Sequence, residues 1–278
     1  MKAVCATDLS AASAAAIQNE ACLRCLRSIG VEEIHLVSVL PSNVHVGMPG
    51  IDFGHRRRRS LGQYRSAIET AGFRVETHVV RGTPHRRIRG LAETIGADLT
   101  IVGSRGSSPL ENRLIGSTAR NLARTTDTPL LVNRIERETA QPRVIRENLF
   151  KHMLFATDFS PNAERAFSAF SYLLEATESI VLVHIKTPKD PRYPAAKTRL
   201  DEMAEQLASW DITVSTEIGD GDPAAEILKA ERAHSPDTIL VGTRGHSRLR
   251  RLLLGSVSES IVAHAAGNVL LVPPRDHP

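Results

Sequence analysis

An internal repeat constrains this chain more than any other feature of its sequence. The first half opens with the residues AVCATDLS, starting at Ala3, and the second half opens with MLFATDFS, starting at Met153. Dividing the chain near residue 147 places these openings, and each later motif, in the same order. The chain has 278 residues, which suits two domains of ~140 residues each. We therefore expect two copies of one domain in tandem.

The two halves differ in length mainly within one connection. Asp8 and Asp158 are 150 positions apart in the sequence. Asp98 and Asp237, later in each half, are only 139 positions apart, so the first half has a net excess of about eleven residues. Because surface loops tolerate insertions, we place the extra residues mostly within 41–60.

Apolar runs alternate with helical patterns in both halves. Runs that predict strands cover 34–40, 74–80 and 130–132 in the first half, and 180–185, 212–218 and 269–272 in the second. With the opening run and the run before the glycines, each half has five predicted strands and about four helices. Apolar strands that alternate with helices favour a parallel sheet covered on both faces, with right-handed crossovers.

These patterns predict an α/β fold made of two tandem doubly wound domains, each built on a five-stranded parallel sheet. The first domain is expected over 1–135 and the second over 149–278. The segment 136–148 between them is polar, contains Pro142 and shows no sustained periodicity. Such a composition is typical of a linker that few contacts cross.

A Gly/Ser motif recurs in both halves with unchanged spacing. GSRG begins at Gly103, and a Gly-Ser pair follows at Gly116 after nine residues. GTRG begins at Gly242, and the second Gly-Ser pair follows at Gly255, again after nine residues. Glycine after a strand lets backbone amides approach an anion, and the next helix presents unpaired amides and a positive dipole end. The motif therefore predicts a phosphate site at the carboxyl edge of each sheet.

The glycines also allow other interpretations. They could serve only a tight turn and close helix packing, and that alternative stays open at the level of sequence. No P-loop segment of the form G-x4-G-K-[ST] occurs in the chain. The segment 219–224 matches the dinucleotide pattern G-x-G-x-x-A, but Asp220 and Asp222 would place negative charge beside a pyrophosphate. We interpret 219–224 as a turn.

The sequence resembles the universal stress protein family over nearly its whole length. The resemblance rests on the ATDxS openings, on the Gly-x-Pro segments at Gly82 and Gly221, and on the G-x2-G-x9-G-S motif in both halves. The arrangement is similar to that of tandem two-domain members of the family. The resemblance implies a Rossmann-like sheet of the adenine nucleotide alpha hydrolase type, with strand order 3-2-1-4-5. It also implies that ATP lies across the carboxyl ends of strands 1 and 4.

The resemblance further implies which residues would contact the nucleotide. In the first half they are Ala6, Thr7, Asp8, Val39, Val102, Gly103, Gly106, Gly116, Ser117 and Thr118. In the second half they are Ala156, Thr157, Asp158, Ile185, Val241, Gly242, Gly245, Gly255, Ser256 and Val257. Asp8 and Asp158 would lie against the adenine or its ribose, while the glycine motifs would hold the phosphates. Mg2+ would bridge phosphate oxygens, and we expect no protein residue dedicated to a metal.

We expect an ATP-binding protein of stress response or signalling, whose ligand is ATP or another adenine nucleotide. Each half has Asp and Ser near the site but no second carboxylate, Lys or His common to both, so we predict no catalytic residue. The alternative is a slow ATP hydrolase or nucleotide-dependent transferase of the same fold. His184 stands where the first half has Ser38, so the two sites are expected to differ. His184 could also be a hydrogen-bonded residue beside the sheet.

Charge and cysteine content limit other functions. The net charge is +4, and its densest run is 55–59. A helix start or a solvated segment is a commoner role for such a run than a nucleic-acid contact, so we expect no nucleic-acid partner. The cysteines are odd in number, which does not suit a disulfide framework: Cys5, Cys22 and Cys25. We interpret the C-x2-C pair as buried or half-buried helix residues rather than a zinc site.

Further expectations concern membranes, location and assembly. No apolar run approaches the ~20 residues that span a bilayer. Asp8 also interrupts the first apolar run before the core of a signal peptide could form. We therefore expect no membrane partner and a cytoplasmic location. The closing strands, 130–132 and 269–272, are expected to pair and form an internal pseudo-dimer, and a homodimer of whole chains is a further option.

Overall fold

The computed structural model of the protein describes residues 1–42, 53–104, 115–136, 143–186, 193–245 and 254–274. The strands of the first half are β1 (Lys2–Ala6), β2 (Glu33–Leu40), β3 (Arg74–Arg81), β4 (Leu99–Gly103) and β5 (Leu130–Asn133). Two short strands follow, β6 (Ile135–Glu136) and β7 (Arg143–Val144). The strands of the second half are β8 (His152–Ala156), β9 (Ser179–Lys186), β10 (Thr213–Asp220), β11 (Thr238–Gly242) and β12 (Asn268–Val272).

Helices connect the strands in the same order in both halves. Those of the first half are α1 (Ala11–Ile17), α2 (Glu20–Ser28), α3 (Phe53–Thr70), α4 (Pro84–Ile95) and α5 (Ser117–Thr125). Those of the second half are α6 (Pro161–Ser168), α7 (Phe170–Leu173), α8 (Tyr193–Ala208), α9 (Pro223–His234) and α10 (Ser256–His264). A 3-10 turn, Leu174–Ala176, follows α7. No helix among the described residues is both long and apolar enough to cross a membrane.

The strands of both halves form one ten-stranded sheet in the order β10-β9-β8-β11-β12-β5-β4-β1-β2-β3. Within each half all pairings are parallel and follow the order 3-2-1-4-5, which confirms the predicted fold class. The closing strands β5 and β12 pair antiparallel, with Leu131 opposite Leu270. The carboxyl ends of the strands in the two halves therefore lie at opposite edges of the sheet.

Apolar layers cover both faces of the sheet, as parallel strands require. Strand β2 shows the pattern, because Ile34 and Leu36 enter the layer under α2 and α3, whereas Val37 and Val39 enter the layer under α4 and α5. All four side chains are buried. The sheet is thus a central layer between two layers of helices.

The predicted number of about four helices per half was too low. The first helical segment divides into α1 and α2, since the Asn19 side chain accepts a hydrogen bond from Cys22 N at 2.9 Å and begins a new helix. The corresponding segment of the second half divides at Ala169 into α6 and α7. The strand expected from Ile212 begins one residue later, after Asp211 adopts a positive φ of 60°.

The predicted linker, 136–148, carries part of a short sheet. Strand β6 begins at Ile135, just before the segment, and strand β7 lies inside it; the two strands pair antiparallel and place Ile135 opposite Val144. Both side chains are buried, and Val144 joins the core that α1 and α2 cover. Val144 therefore attaches the described part of this segment to the first half.

A buried arginine reinforces the junction between the halves. Arg134 follows β5 and is only 3% exposed. Its Nη2 donates to Val262 O at 2.6 Å, and its Nε donates to Gly267 O at 3.2 Å. Its backbone N–H donates to Asn268 Oδ1 at 2.8 Å. The guanidinium therefore satisfies carbonyls near the carboxyl end of α10, where a positive charge is favourable.

We predict that Arg134→Met lowers the free energy of unfolding of the full chain by about 2–4 kcal/mol, because it leaves buried carbonyls without donors. Chemical denaturation followed by circular dichroism measures this change. The matched control is Arg24→Met on α2, whose side chain is 73% exposed and which should change the value by less than about 0.5 kcal/mol. Equal effects of the two variants would contradict the role given to Arg134.

Candidate functional site

The candidate site of each half lies where β1 meets β4, or β8 meets β11, at the carboxyl edge of the sheet. Ala6 is in register with Val102, and Ala156 is in register with Val241. The strand order reverses its direction of growth at this point, which opens a crevice between the connections that leave each strand. The structure thus brings the opening turn and the glycine motif of each half together.

The turn after the first strand has the same hydrogen bonds in both halves. Thr7 Oγ1 accepts from Leu9 N at 3.0 Å, and Asp8 Oδ1 accepts from Ser10 N at 3.0 Å. The matching bonds of the second half, to Thr157 Oγ1 and Asp158 Oδ1, are also 3.0 Å long. The backbone amide of the serine two residues later therefore holds each aspartate at the edge of the sheet. Both aspartates are only partly buried.

The residue after each aspartate has a strained backbone. Leu9 has a φ of 66° and Phe159 a φ of 55°, in the left-handed region that residues with a Cβ rarely adopt. Such a conformation costs about 1–2 kcal/mol, and it persists only where surrounding structure enforces it. The same positive φ at the same position indicates that both halves require the chain to turn in this direction after the aspartate.

Two kinds of helix start meet at each site. Ser10 accepts a hydrogen bond from Ser13 N at 3.2 Å, and Ser160 accepts from Ala163 N at 3.2 Å, so side chains cap α1 and α6. In contrast, α5 and α10 begin after Gly116 and Gly255, and no described side chain caps either helix. Their first-turn amides are thus left for solvent or a ligand.

A matched hydrogen bond brings each Gly-Ser pair back to the end of the preceding strand. Gly116 N donates to Ser104 O at 2.7 Å, and Gly255 N donates to Thr243 O at 2.8 Å. These bonds place the uncapped helix starts beside the ends of β4 and β11. The two ends of the glycine motif are therefore adjacent in space in both halves.

Neither the backbone conformation nor the packing among described residues requires glycine at 116 or 255. Gly116 has φ −72° and ψ 156°, and Gly255 has φ −63° and ψ 147°, values that any residue adopts. A Cβ at these positions would lie 3.5 Å from Ser104 O and 3.4 Å from Thr243 O, which are ordinary contacts. Ser or Asp would cap the helix better than glycine does.

Glycines 242 and 245 have a packing reason. A Cβ on Gly242 would lie 2.5 Å from Asn162 Nδ2, and a Cβ on Gly245 would lie 2.5 Å from Asp158 Oδ2. The Asn162 amide also donates to Arg244 O at 3.0 Å. The interpretation of the glycines as close-packing residues therefore holds for Gly242 and Gly245. Asn162 itself escaped the sequence analysis, because the first half has Ala12 at its position.

The remaining predicted residues are placed as follows. Ser117 and Ser256 are exposed at the helix starts, and Thr118 and Val257 are half-buried behind them. Val39 and Ile185 are buried near the ends of β2 and β9. Gly103 ends β4 and borders a cavity of about 30 Å³ that also contacts Ser13 and Asn133. Gly106 lies outside the described residues.

The side chains beside the two sites differ. In the first half Arg57, from the basic run that begins α3, donates through Nη1 to Ser38 Oγ at 2.6 Å. In the second half His184 Nδ1 lies 2.9 Å from Thr157 O, and its ring stacks on Phe159 with centroids 4.6 Å apart. The Arg199 guanidinium lies 4.7 Å from the centre of the Phe159 ring. His184 is thus a hydrogen-bonded residue beside the sheet, and the basic run is a helix start.

Two alternative sites from the sequence receive no support from the geometry. Cys22 is buried in α2 and donates to Glu147 O at 3.4 Å, and burial raises its pKa to about 12. A thiol in this state is a poor nucleophile and metal ligand. Gly221 has a φ of 128°, and the Asp222 side chain accepts from Ala225 N at 2.9 Å, which caps α9. An aspartate therefore occupies the position where a dinucleotide phosphate would bind.

Both halves of the chain are similar to known proteins. A family model described as the universal stress protein family matches residues 1–134 and 149–273. A universal stress protein of Mycolicibacterium smegmatis is 27% identical over 220 residues, which are 74% of this chain and 71% of that protein. A universal stress protein of Thermus aquaticus is 32% identical over 136 residues, which are 45% of this chain and 99% of that protein.

Solved structures agree with the fold. The crystal structure of a universal stress protein from Archaeoglobus fulgidus superposes with a TM-score of 0.75 and 24% sequence identity. The superposition covers 99% of this chain and 98% of the other. The likeness extends over both halves and supports the α/β architecture described above.

We predict that Gly242→Ala lowers the free energy of unfolding by about 1–3 kcal/mol, because the new methyl group collides with the Asn162 amide. In an Asn162→Ala background the same substitution should cost less. A residual cost should remain, because the Asn162 carbonyl oxygen is 3.2 Å from the new Cβ. Denaturation of the four proteins gives the coupling energy through a double-mutant cycle.

The control for the cycle is Gly90→Ala on α4, where a Cβ meets nothing within 4 Å. This variant should be neutral or stabilising, because alanine favours a helix over glycine. Strictly additive effects of Gly242→Ala and Asn162→Ala would show that the two residues do not constrain each other.

Proposed function

This chain belongs to the universal stress protein family, and we propose that it binds Mg-ATP at the carboxyl edge of each half without catalysing its breakdown. In this proposal the bound nucleotide is a signal, and the protein acts in stress response or signalling. The family model matches both halves, so the proposal applies to each of them.

The uncapped starts of α5 and α10 carry the proposal. Gly116 and Gly255 stand where a capping side chain would stabilise the helix, and neither the backbone nor the packing against described residues requires glycine there. The approach of an anion would favour glycine at both positions, because first-turn amides without a side-chain cap and the positive helix end attract it. The exposed hydroxyls of Ser117 and Ser256 add one donor each.

In this proposal ATP would lie between the two sides of each crevice. The phosphates would lie against α5 or α10, while Asp8 or Asp158 would face the ribose or the base from the opposite strand. Mg2+ would be held mainly by phosphate oxygens and water, because it keeps several waters when it binds. Because Arg57 neighbours the first site and His184 and Arg199 neighbour the second, we expect two binding events of unequal affinity.

The absence of catalysis is inferred from the groups that the described parts of the sites provide. In the first half the Asp8 carboxylate accepts from Ser10 N and from Ser13 Oγ, both at 3.0 Å. Both bonds are accepted by Oδ1, so this oxygen serves the turn. In the second half Ala163 stands in place of Ser13, so the bond from Ser13 to Asp8 has no counterpart there.

We predict that Gly116→Asp and Gly255→Asp each weaken one of the two Mg-ATP binding events by at least about tenfold. The new carboxylate would cap the helix and repel the triphosphate, so the stability of the protein should stay equal or rise by up to about 1 kcal/mol. Isothermal calorimetry of the full chain at millimolar Mg-ATP, with denaturation of each variant, measures both effects.

The charge control for these variants is Gly62→Asp, which adds the same charge at an exposed position of α3 with nothing within 4 Å of its Cβ. It should bind ATP like the unmodified protein. Absence of binding heat in the unmodified protein would refute the proposal, as would unchanged binding in the Gly116→Asp, Gly255→Asp double variant.

We further predict that the chain releases no phosphate from Mg-ATP above the background of nucleotide alone. A continuous phosphate assay over hours, at saturating ATP, tests this expectation with Asp8→Ala and Asp158→Ala as controls. Saturable release that either substitution abolishes would support the alternative of a slow ATP hydrolase.

A further inference from the structure

We infer that His35, Glu76 and His78 form a binding site for a divalent first-row transition metal ion, Zn2+ foremost. The three residues lie on the outer strands β2 and β3 of the first half. Their ligand atoms all lie within 4.8 Å of one another, and they are the one such group of three among the described residues. This site is separate from the proposed nucleotide site.

The strand register produces the cluster. His35 on β2 is paired with Glu76 on β3, and His78 is two residues further along β3. Because side chains two residues apart in a strand share a face, Glu76 and His78 stand on the same side of the sheet as His35. The two imidazole rings stack with centroids 5.3 Å apart. The backbone thus positions all three ligands without a flexible loop.

The distances suit a small cation. His35 Nδ1 lies 3.0 Å from His78 Nε2 and 3.7 Å from Glu76 Oε2. His78 Nε2 and Glu76 Oε2 are 3.9 Å apart. The circle through these three atoms has a radius of about 2.1 Å, close to the 2.0–2.2 Å of Zn–N and Zn–O bonds. An ion could therefore replace the proton that the two imidazoles share, with little movement of the ligands.

Glu33 orients the buried ligand. Its Oε1 accepts a hydrogen bond from His35 Nε2 at 2.7 Å. This contact fixes the tautomer of His35 and leaves Nδ1 with its lone pair towards His78 and Glu76. A carboxylate that holds the second nitrogen of a histidine is the usual support of a metal-binding imidazole. Lys2 Nζ lies 3.8 Å from Glu33, and Arg74 Nη2 lies 3.5 Å from both Glu33 and Glu32, so Glu33 has cationic partners besides His35.

The solvent exposure of the three side chains and their donor atoms indicate which ion would bind. The His35 side chain is 4% exposed, that of His78 24% and that of Glu76 64%, so the cluster opens to solvent on one side. Water can therefore complete the coordination. Two imidazoles and one carboxylate favour zinc and other late first-row metals, whereas Mg2+ prefers oxygen ligands. The Mg2+ that accompanies ATP should not compete for this site.

The second half lacks the cluster. Val181, Ser215 and Glu217 occupy the positions of His35, Glu76 and His78 in the corresponding strands β9 and β10. Glu217 instead forms an exposed pair with a histidine of α9, in which His234 Nε2 lies 2.9 Å from Glu217 Oε2. That pair provides a matched control within the same chain, because it joins a histidine to a carboxylate without a second imidazole.

Metal binding would join an edge strand to its neighbour. Strand β3 ends the sheet of the first half, and β2 is the strand to which it pairs. An ion bound to both strands stabilises the folded state by mass action, in proportion to its occupancy. His35 is about 16 Å along β2 from the carboxyl end of that strand, so the effect should be independent of ATP.

The experiment uses the untagged, nucleotide-free full chain titrated with Co2+ as a spectroscopic probe and Zn2+ as a competitor. We expect visible absorption bands that saturate at one equivalent, disappear when Zn2+ is added and persist in millimolar Mg2+. Glu76→Gln and His78→Gln should each weaken binding by at least about tenfold, and Glu33→Gln by about tenfold. Zn2+ should raise the melting temperature of the unmodified chain and not that of His78→Gln.

The control His234→Gln should bind Co2+ within about twofold of the unmodified chain, since its pair has no second imidazole. The inference is overturned if the unmodified chain gives no saturable Co2+ spectrum. It is equally overturned if Glu76→Gln and His78→Gln bind as the unmodified chain does, or if His234→Gln weakens binding as much as His78→Gln. Because Glu76 is exposed, its variant reports on binding without a risk of misfolding.

Discussion

The antiparallel pairing of β5 with β12 is the interaction on which the rest of the molecule depends. Leu131 and Leu270 meet in the middle of a ten-stranded sheet, and both are almost completely buried. Without this pairing each half would expose an apolar edge strand, which proteins avoid because such edges aggregate. The ion pair of Arg124 with Glu259 and the buried Arg134 fix the helices that cover the junction. Because β5 and β12 pair antiparallel, the two crevices lie at opposite edges of the sheet, and nucleotides bound in them would not touch.

The two crevices each combine a capped and an uncapped helix start. Side chains cap α1, α6 and α9, as Ser10, Ser160 and Asp222 do, whereas Thr83 before α4 makes no such bond. Where we propose that phosphate binds, the cap is missing and glycine takes its place, as at Gly116 and Gly255. Capping and anion binding use the same amides, so a helix start can serve only one of them at a time. The contrast between the two helix starts at each crevice supports the proposed role of the glycine motif.

The sequence allowed the fold to be predicted because the signals of a parallel sheet are local and occur twice. Apolar runs, helical patterns and the repeated motif predicted two parallel sheets in tandem, whereas the strand order 3-2-1-4-5 was implied by the resemblance to the universal stress protein family. The break at Asn19 depended on one side-chain cap inside an otherwise continuous helical pattern, and such a cap gives a weak signal. The contact of Asn162 with Gly242 joins distant segments, and the repeat concealed it because the first half has alanine there. The cluster of His35 with Glu76 and His78 required the register between two strands, which periodicity does not supply.

Joining the two halves in one polypeptide has a consequence for how they can diverge. Two identical chains that pair through such an edge must carry every substitution twice, and their association weakens on dilution. A covalent connection keeps the partner edge at a high local concentration whatever the amount of protein. It also releases the halves from symmetry, so that one can place imidazoles on its outer strands while the other keeps valine and serine there. The fusion therefore turns a duplicated scaffold into two compartments that natural selection can modify separately.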